Sequence, residues 1–250
     1  MKYRNYFCVV ALAVSILLTG CMTIKPEKMQ DHLTIVNAEE NKKTPVVFFF
    51  QGSGGNNGLA AKWSLWFKEH GVSAVWINSA SVRGIDKLYG KNYGGDLSPA
   101  LQAVAGNPGL DLSRYALMGF SRGGTAALQS ASFLTEDQPR PDLIFSLYPA
   151  DSGQCPNSYD DLTKVNVFYG ELDDWGTYQG NRNACKTMAE KHANTNYYPL
   201  ANAHHAYDGN WNEKWKCCGG RTFTSESNAE ALAETKRIIL AAMQKEWGIK

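Results

Sequence analysis

Gly119-Phe120-Ser121-Arg122-Gly123-Gly124 sets a serine among small residues, after the apolar run Tyr115-Ala116-Leu117-Met118 and before the helix-forming run Thr125-Ala126-Ala127-Leu128-Gln129. A hydroxyl at a strand-to-helix turn stands out from the end of a sheet, and only small neighbours permit so sharp a bend. The next residue begins a helix, so the backbone N–H of Arg122 and the positive helix end face the place where a negative oxygen would form. A serine is a weak nucleophile until an imidazole takes its proton and a carboxylate holds that imidazole. Candidates for both follow in the chain. The apolar run Val165 to Tyr169 leads into Gly170-Glu171-Leu172-Asp173-Asp174-Trp175, and Tyr198-Pro199-Leu200 leads to His204-His205-Ala206-Tyr207-Asp208. Asp173, three residues past Gly170, is the expected acid, with Asp174 read as a turn or cap residue. Of two adjacent histidines, only one can face the serine. The chemistry would be nucleophilic acyl transfer.

These groups need a frame. Pro45 to Phe50, Ser73 to Ile77, Tyr115 to Gly119, Leu143 to Tyr148, Val165 to Tyr169 and Asn196 to Tyr198 read as strands, continuous and apolar as in a parallel sheet covered on both sides. Leu59 to His70, Ser98 to Val104, Ser121 to Leu134 and Asn183 to Ala193 read as helices, and a last helix spans about Asn228 to Trp247. Ser227 stands three residues before Glu230, a capping-box arrangement for that last helix. Such alternation predicts the α/β class: a doubly wound, mostly parallel sheet with helices on both faces. Ligands bind beyond the carboxyl ends of strands in such sheets, and each candidate group follows one of the predicted strands. The second amide for an oxyanion is expected from the turn after Phe48-Phe49-Phe50, at Ser53, paired with Arg122. That glycine-rich turn lacks the G-K-[ST] ending of a phosphate loop, so no nucleotide is expected there.

From about Pro45 to Asp208 the chain resembles the dienelactone hydrolase family of the α/β-hydrolase fold. The family's H-G-x-G-G phrase is matched by Gln51-Gly52-Ser53-Gly54-Gly55, its arginine-containing segment by Asn78 to Gly84, its G-x-x-D-D-W by Gly170 to Trp175, and its H-x-F-D by His205-Ala206-Tyr207-Asp208. Gln51 replaces the common histidine, and Asn-Ser-Ala-Ser stands before Arg83 in place of an acidic-aromatic version. Many relatives use a cysteine nucleophile; the serine here is similar to that of esterase-like members. The resemblance implies a Ser121, Asp173, His205 triad, with His204 only its neighbour. It implies cleavage of carboxylic esters, lactones or thioesters through an acyl-enzyme, on a small-molecule substrate and with no metal or organic cofactor. A peptidase or amidase on the same fold, and a non-catalytic envelope lipoprotein, are the alternative expectations.

The first residues predict a destination. Lys2 and Arg4 precede the apolar stretch Tyr6 to Leu18, shorter than the ~20 apolar residues of a membrane span. It ends in Leu18-Thr19-Gly20-Cys21, which resembles a bacterial lipobox. Residues 1–20 are therefore expected to be a lipoprotein signal peptide and Cys21 the lipidated residue, anchoring the protein to a membrane. Residues 21–43 are expected as a tether leading into an edge strand near His32 to Val36, and 44–250 as the catalytic domain. Met22 after the cysteine points to the outer membrane, facing the periplasm. A net charge of +1 argues against a nucleic-acid partner. Export permits disulfides, and of the pairings open to Cys155, Cys185, Cys217 and Cys218 the favoured one is Cys155–Cys185. A zinc set of Cys217, Cys218, His204 and His205 has no usual ligand spacing, so no metal is expected. Trp175, Tyr178, Trp211 and Trp215 are expected to pack the loops or line an apolar pocket. Arg83 and Arg122 are expected either to hold a substrate carboxylate or to pair with acidic loops.

Overall fold

Phe48, Phe49 and Phe50 have no solvent exposure at all. Three successive bulky residues point to alternate faces of a strand, so a sheet that hides all three must be covered on both sides. The computed structural model, which describes residues 24–55, 58–150, 155, 162–178 and 180–249, shows how. In chain order the elements are α1 (Pro26–Gln30), β1 (Leu33–Val36), β2 (Thr44–Phe50), α2 (Leu59–Glu69), β3 (Ser73–Ile77), α3 (Leu97–Val104), β4 (Leu110–Phe120), α4 (Arg122–Gln129), β5 (Leu143–Leu147) and β6 (Lys164–Gly170). They continue with α5 (Asp174–Tyr178), α6 (Asn181–Lys191), β7 (Thr195–Leu200), β8 (Asn212–Cys217), β9 (Arg221–Glu226) and α7 (Ala229–Trp247).

Seven strands form one sheet in the order β1-β3-β2-β4-β5-β6-β7. Only the edge strand β1 runs antiparallel. The chain leaves β2 toward β3 on one side and returns to β4 on the other, so the winding reverses between β2 and β4. A crevice opens at such a reversal, beyond the carboxyl ends of the two strands. Ser53 follows β2 and Ser121 follows β4. On the sheet's faces, α2 and α7 meet where Lys236 lies over the rings of Trp63 and Trp66, and α1 packs on α3.

Several details differ from the expectations. The segment expected as a tether contains α1, opened by Pro26 at its first turn, and its Met29 is fully buried in the core. The folded unit thus takes in residues well before 44. The helix expected from Ser121 to Leu134 ends at Gln129 and continues as a 3-10 turn, Ser130–Phe133. There the Ser130 and Ser132 hydroxyls donate to the carbonyls of Ala127 and Gln129, the back-bonding that disfavours a continuing α-helix. The cap of α7 is Asn228, whose side-chain oxygen accepts the Ala231 N–H, and not Ser227, whose N–H donates to the Trp211 carbonyl. The β8–β9 hairpin was not expected at all. Residues 1–23, including Cys21 and the leader, lie outside the described residues.

Candidate active site

Ser121 lies between the last residue of β4 and the first of α4, with φ 52° and ψ −120°. A left-handed backbone at a non-glycine residue costs about 1–3 kcal/mol and persists only where its surroundings fix it. The surroundings do so: the Ser121 N–H donates to Leu147 O at 3.0 Å, and its carbonyl accepts the N–H groups of Gly124 at 2.8 Å and Ala150 at 3.2 Å. The flanking glycines are required by contact. A Cβ on Gly119 would lie 2.0 Å from the Gly123 carbonyl oxygen, and one on Gly123 would lie 2.2 Å from that of Phe50. A side chain at Gly119 would push the start of α4 off β4, and one at Gly123 would push it away from the end of β2.

Asp173 follows β6 and is completely buried. Its Oδ1 accepts the Gly176 N–H at 2.7 Å and its Oδ2 lies 3.0 Å from His205 Nδ1. A Cβ on Gly170 would stand 2.1 Å from the Ala203 carbonyl oxygen, so this glycine lets the acid loop and the histidine loop close on each other. The N–H groups of Glu171 and Leu172 then pair with the carbonyls of Leu200 and Ala203, both at 2.9 Å. On the other side of the ring, His205 Nε2 lies 3.0 Å from Ser121 Oγ. A carboxylate only accepts, so Nδ1 carries the hydrogen, and Nε2 is left to accept from the serine hydroxyl. Residues 121, 173 and 205 are thus joined in one relay.

The other expected residues divide. Ser53, Gly54 and Arg122 line a cavity of about 790 Å³ over Ser121, and Arg122 Nε donates to Ser53 Oγ at 3.3 Å. A Cβ on Gly52 would lie 3.7 Å from that of Ser121, so the turn after β2 stands directly beside the serine. Arg83 is elsewhere, tied to Asp96 by two hydrogen bonds of 2.6 and 2.7 Å. Asp174 begins α5 and accepts the Thr224 N–H at 3.3 Å. His204 sits 4.0 Å from Glu226. Trp175, Trp211 and Trp215 line the cavity, whereas Tyr178 faces a neighbouring groove under Arg221. The hairpin supplies part of the roof: Trp215 and Phe223 pack on Trp175 with ring centroids 4.7 and 4.8 Å apart. Cys155 is bonded to Cys185, with Cα atoms 4.8 Å apart, and Cys217 to Cys218. No group of His, Cys, Asp or Glu among the described residues is arranged to hold a metal.

Two groups at the site were not expected from the sequence. Tyr148, at the end of β5, lines the cavity and meets the His205 ring edge-on, 4.8 Å between centroids. Its hydroxyl donates to Asp208 Oδ1 at 2.5 Å, and Trp63 Nε1 donates to Asp208 Oδ2 at 2.8 Å. Burial pushes the Asp208 carboxyl above its ordinary value, against the opposing pull of those two hydrogen bonds and the His205 charge. Asp208 closes the phrase that begins at His205, but nothing in local sequence links it to Tyr148. Gln51, noted as a departure, is buried, and neither polar atom of its side chain meets a partner among the described residues.

No family model matches the chain, and no curated protein matches it by sequence. Solved structures do match. An esterase from the planctomycete Thermogutta terrifontis superposes with a TM-score of 0.60 at 15% identity, over 87% of this chain and 90% of that one. An acetyl ester-xyloside bifunctional hydrolase from Caldicellulosiruptor lactoaceticus gives 0.60 at 14%, over 87% and 89%. A dienelactone hydrolase-like promiscuous phosphotriesterase from metagenomic libraries gives 0.57 at 18%, over 86% and 98%. At these identities the likeness shows the fold, which is that of the α/β-hydrolases.

Proposed function

We propose that the protein is a serine hydrolase that cleaves carboxylic esters, lactones or thioesters through an acyl-enzyme. The observation that carries this is the relay Asp173–His205–Ser121, with both links at 3.0 Å, opening on a cavity at the sheet's reversal point. The esterases among the structural neighbours agree with it. Ser121 Oγ attacks the carbonyl carbon while its proton passes to His205 Nε2. Asp173, buried and held by Gly176, keeps the hydrogen on Nδ1 and balances the imidazolium. The oxyanion is received by the backbone N–H groups of Ser53 and Arg122, two residues that line the cavity beside the serine. Collapse expels the alcohol, which takes its proton from Nε2. A water then attacks the acyl group by the same path in reverse. Because the imidazole must start neutral, activity falls as pH falls.

The leader belongs to the same proposal: a protein exported and anchored through lipid on Cys21 in the cell envelope, acting on esters from the outer membrane's periplasmic side. The test of the chemistry uses a soluble form starting after Cys21 and a fluorophosphonate probe. Wild type is expected to be labelled at Ser121, and Ser121→Ala to lose labelling completely. Labelling that survives in Ser121→Ala would place the nucleophile elsewhere.

A further inference from the structure

Two hydrogen bonds fix an imidazole along one axis only. The links to Asp173 and Ser121 run through Nδ1 and Nε2, so both leave the ring free to tilt about the line joining these atoms. A contact from the side must set the tilt, and Tyr148 makes one, with its ring at 66° to that of His205. Tyr148 is itself held on every side. Its N–H donates to Phe168 O at 2.7 Å, its ring packs edge-on to Tyr207 at 5.4 Å, and its hydroxyl is bound by Asp208. The backbone of Tyr148 sits at φ 38°, a strained value for a tyrosine that the adjoining hydrogen bonds maintain.

Asp208 lies three residues past His205, on the same loop, and is fixed from the far side by Trp63 of α2. Among the described residues the donors to its carboxylate are neutral: Tyr148, Trp63 and its own backbone N–H. Among the described residues, the other ionisable groups about this site are Asp173, Tyr207 and, beyond the Trp63 ring, Lys236. The charge that His205 gains when it takes the serine proton therefore forms beside a second buried carboxylate besides Asp173.

We propose that Tyr148 and Asp208 are positioning residues for the imidazole of His205: the tyrosine ring sets its tilt, and the aspartate anchors the tyrosine and opposes the imidazolium charge. The proposal rests on the hydrolase reading above. Its test is the second-order rate of fluorophosphonate labelling against pH, with thermal melts to establish that each variant is folded. Tyr148→Phe and Asp208→Asn are each expected to slow labelling about tenfold, since small misplacements of a reacting group cost rate steeply. The double variant is expected to be no slower than the worse single one, because both act through one bond. Asp208→Asn is also expected to move the acid limb of the rate profile to lower pH, because removing a negative charge disfavours the imidazolium; a packing role alone would leave the limb in place. If either variant melts before assay, Trp63→Phe, which frees only Oδ2, is expected to shift the rate in the same direction. Folded variants with wild-type rates and an unmoved limb would overturn the positioning role and leave the hydrolase reading intact. A wild-type protein that takes no label would overturn both.

Discussion

At the residue scale, the two neighbouring carboxylates after β6 differ in what they can reach. Asp173 faces inward, its two oxygens divided between the Gly176 amide and the imidazole, while Asp174 turns outward to the Thr224 amide of the hairpin. An acid that sets the tautomer is worth far more than one that braces a loop. Asp173→Asn is expected to lower turnover on the order of ~10⁴-fold, the loss that follows when the imidazole is held in the wrong tautomer. Asp174→Asn is expected to stay within about tenfold of wild type. Steady-state turnover of an activated ester for the two purified variants decides between them. The order serine, acid, histidine makes these three positions legible in the chain alone, since each follows a strand that buries itself. The link between Tyr148 and Asp208 is not legible there, although Asp208 closes the phrase begun by His205, because it is one tertiary contact between the end of β5 and the histidine loop. A tyrosine after an apolar strand reads simply as more core.

At the element scale, the parallel strands announce themselves because burial on both faces demands uninterrupted apolar runs: β2 and β5 are buried at every position. The β8–β9 hairpin obeys a different rule. It stands outside the main sheet, and most of its residues are half-exposed or exposed, so Asn212-Glu213-Lys214 reads as loop. Its structure depends on few apolar contacts, chiefly Phe223 packed among Trp175, Tyr178 and Trp215 with centroids 4.8, 5.4 and 4.9 Å away. An element held by so few contacts opens locally rather than with the whole molecule. Phe223→Ala is therefore expected to speed hydrogen exchange at the hairpin amides by an order of magnitude or more. Amides of β4 and β5 should keep their protection. Equal acceleration in the central strands would show that the hairpin is part of the cooperative core and not an appended wall of the cavity.

At the scale of the whole molecule, the site costs stability. Ser121 and Tyr148 both hold left-handed backbone, at φ 52° and 38°, and Asp208 is a buried carboxylate with neutral hydrogen-bond donors. Burial raises the Asp208 pKa above its ordinary 3.8, so the folded protein holds that proton more tightly than the unfolded chain does. The sign follows by linkage: the favourable contribution is complete below the unfolded value and is lost as pH rises through the raised folded value. At neutral pH the charge on Asp208 therefore weakens the fold. Asp208→Asn removes that ionisation in a side chain of nearly the same shape, whose oxygen can still accept from Trp63. The difference in melting temperature between the two proteins then reports this group together with the imidazole it is coupled to. Expected is a variant that gains several degrees on wild type between pH 4 and pH 8, even as its labelling slows. A difference that stays flat across this range would mean that Asp208 keeps an ordinary proton affinity, and that the fold bears no penalty for a carboxylate beside the imidazole. Gained stability with lost rate, by contrast, is the pattern of a group retained for what it does to its neighbour and not for what it adds to the core.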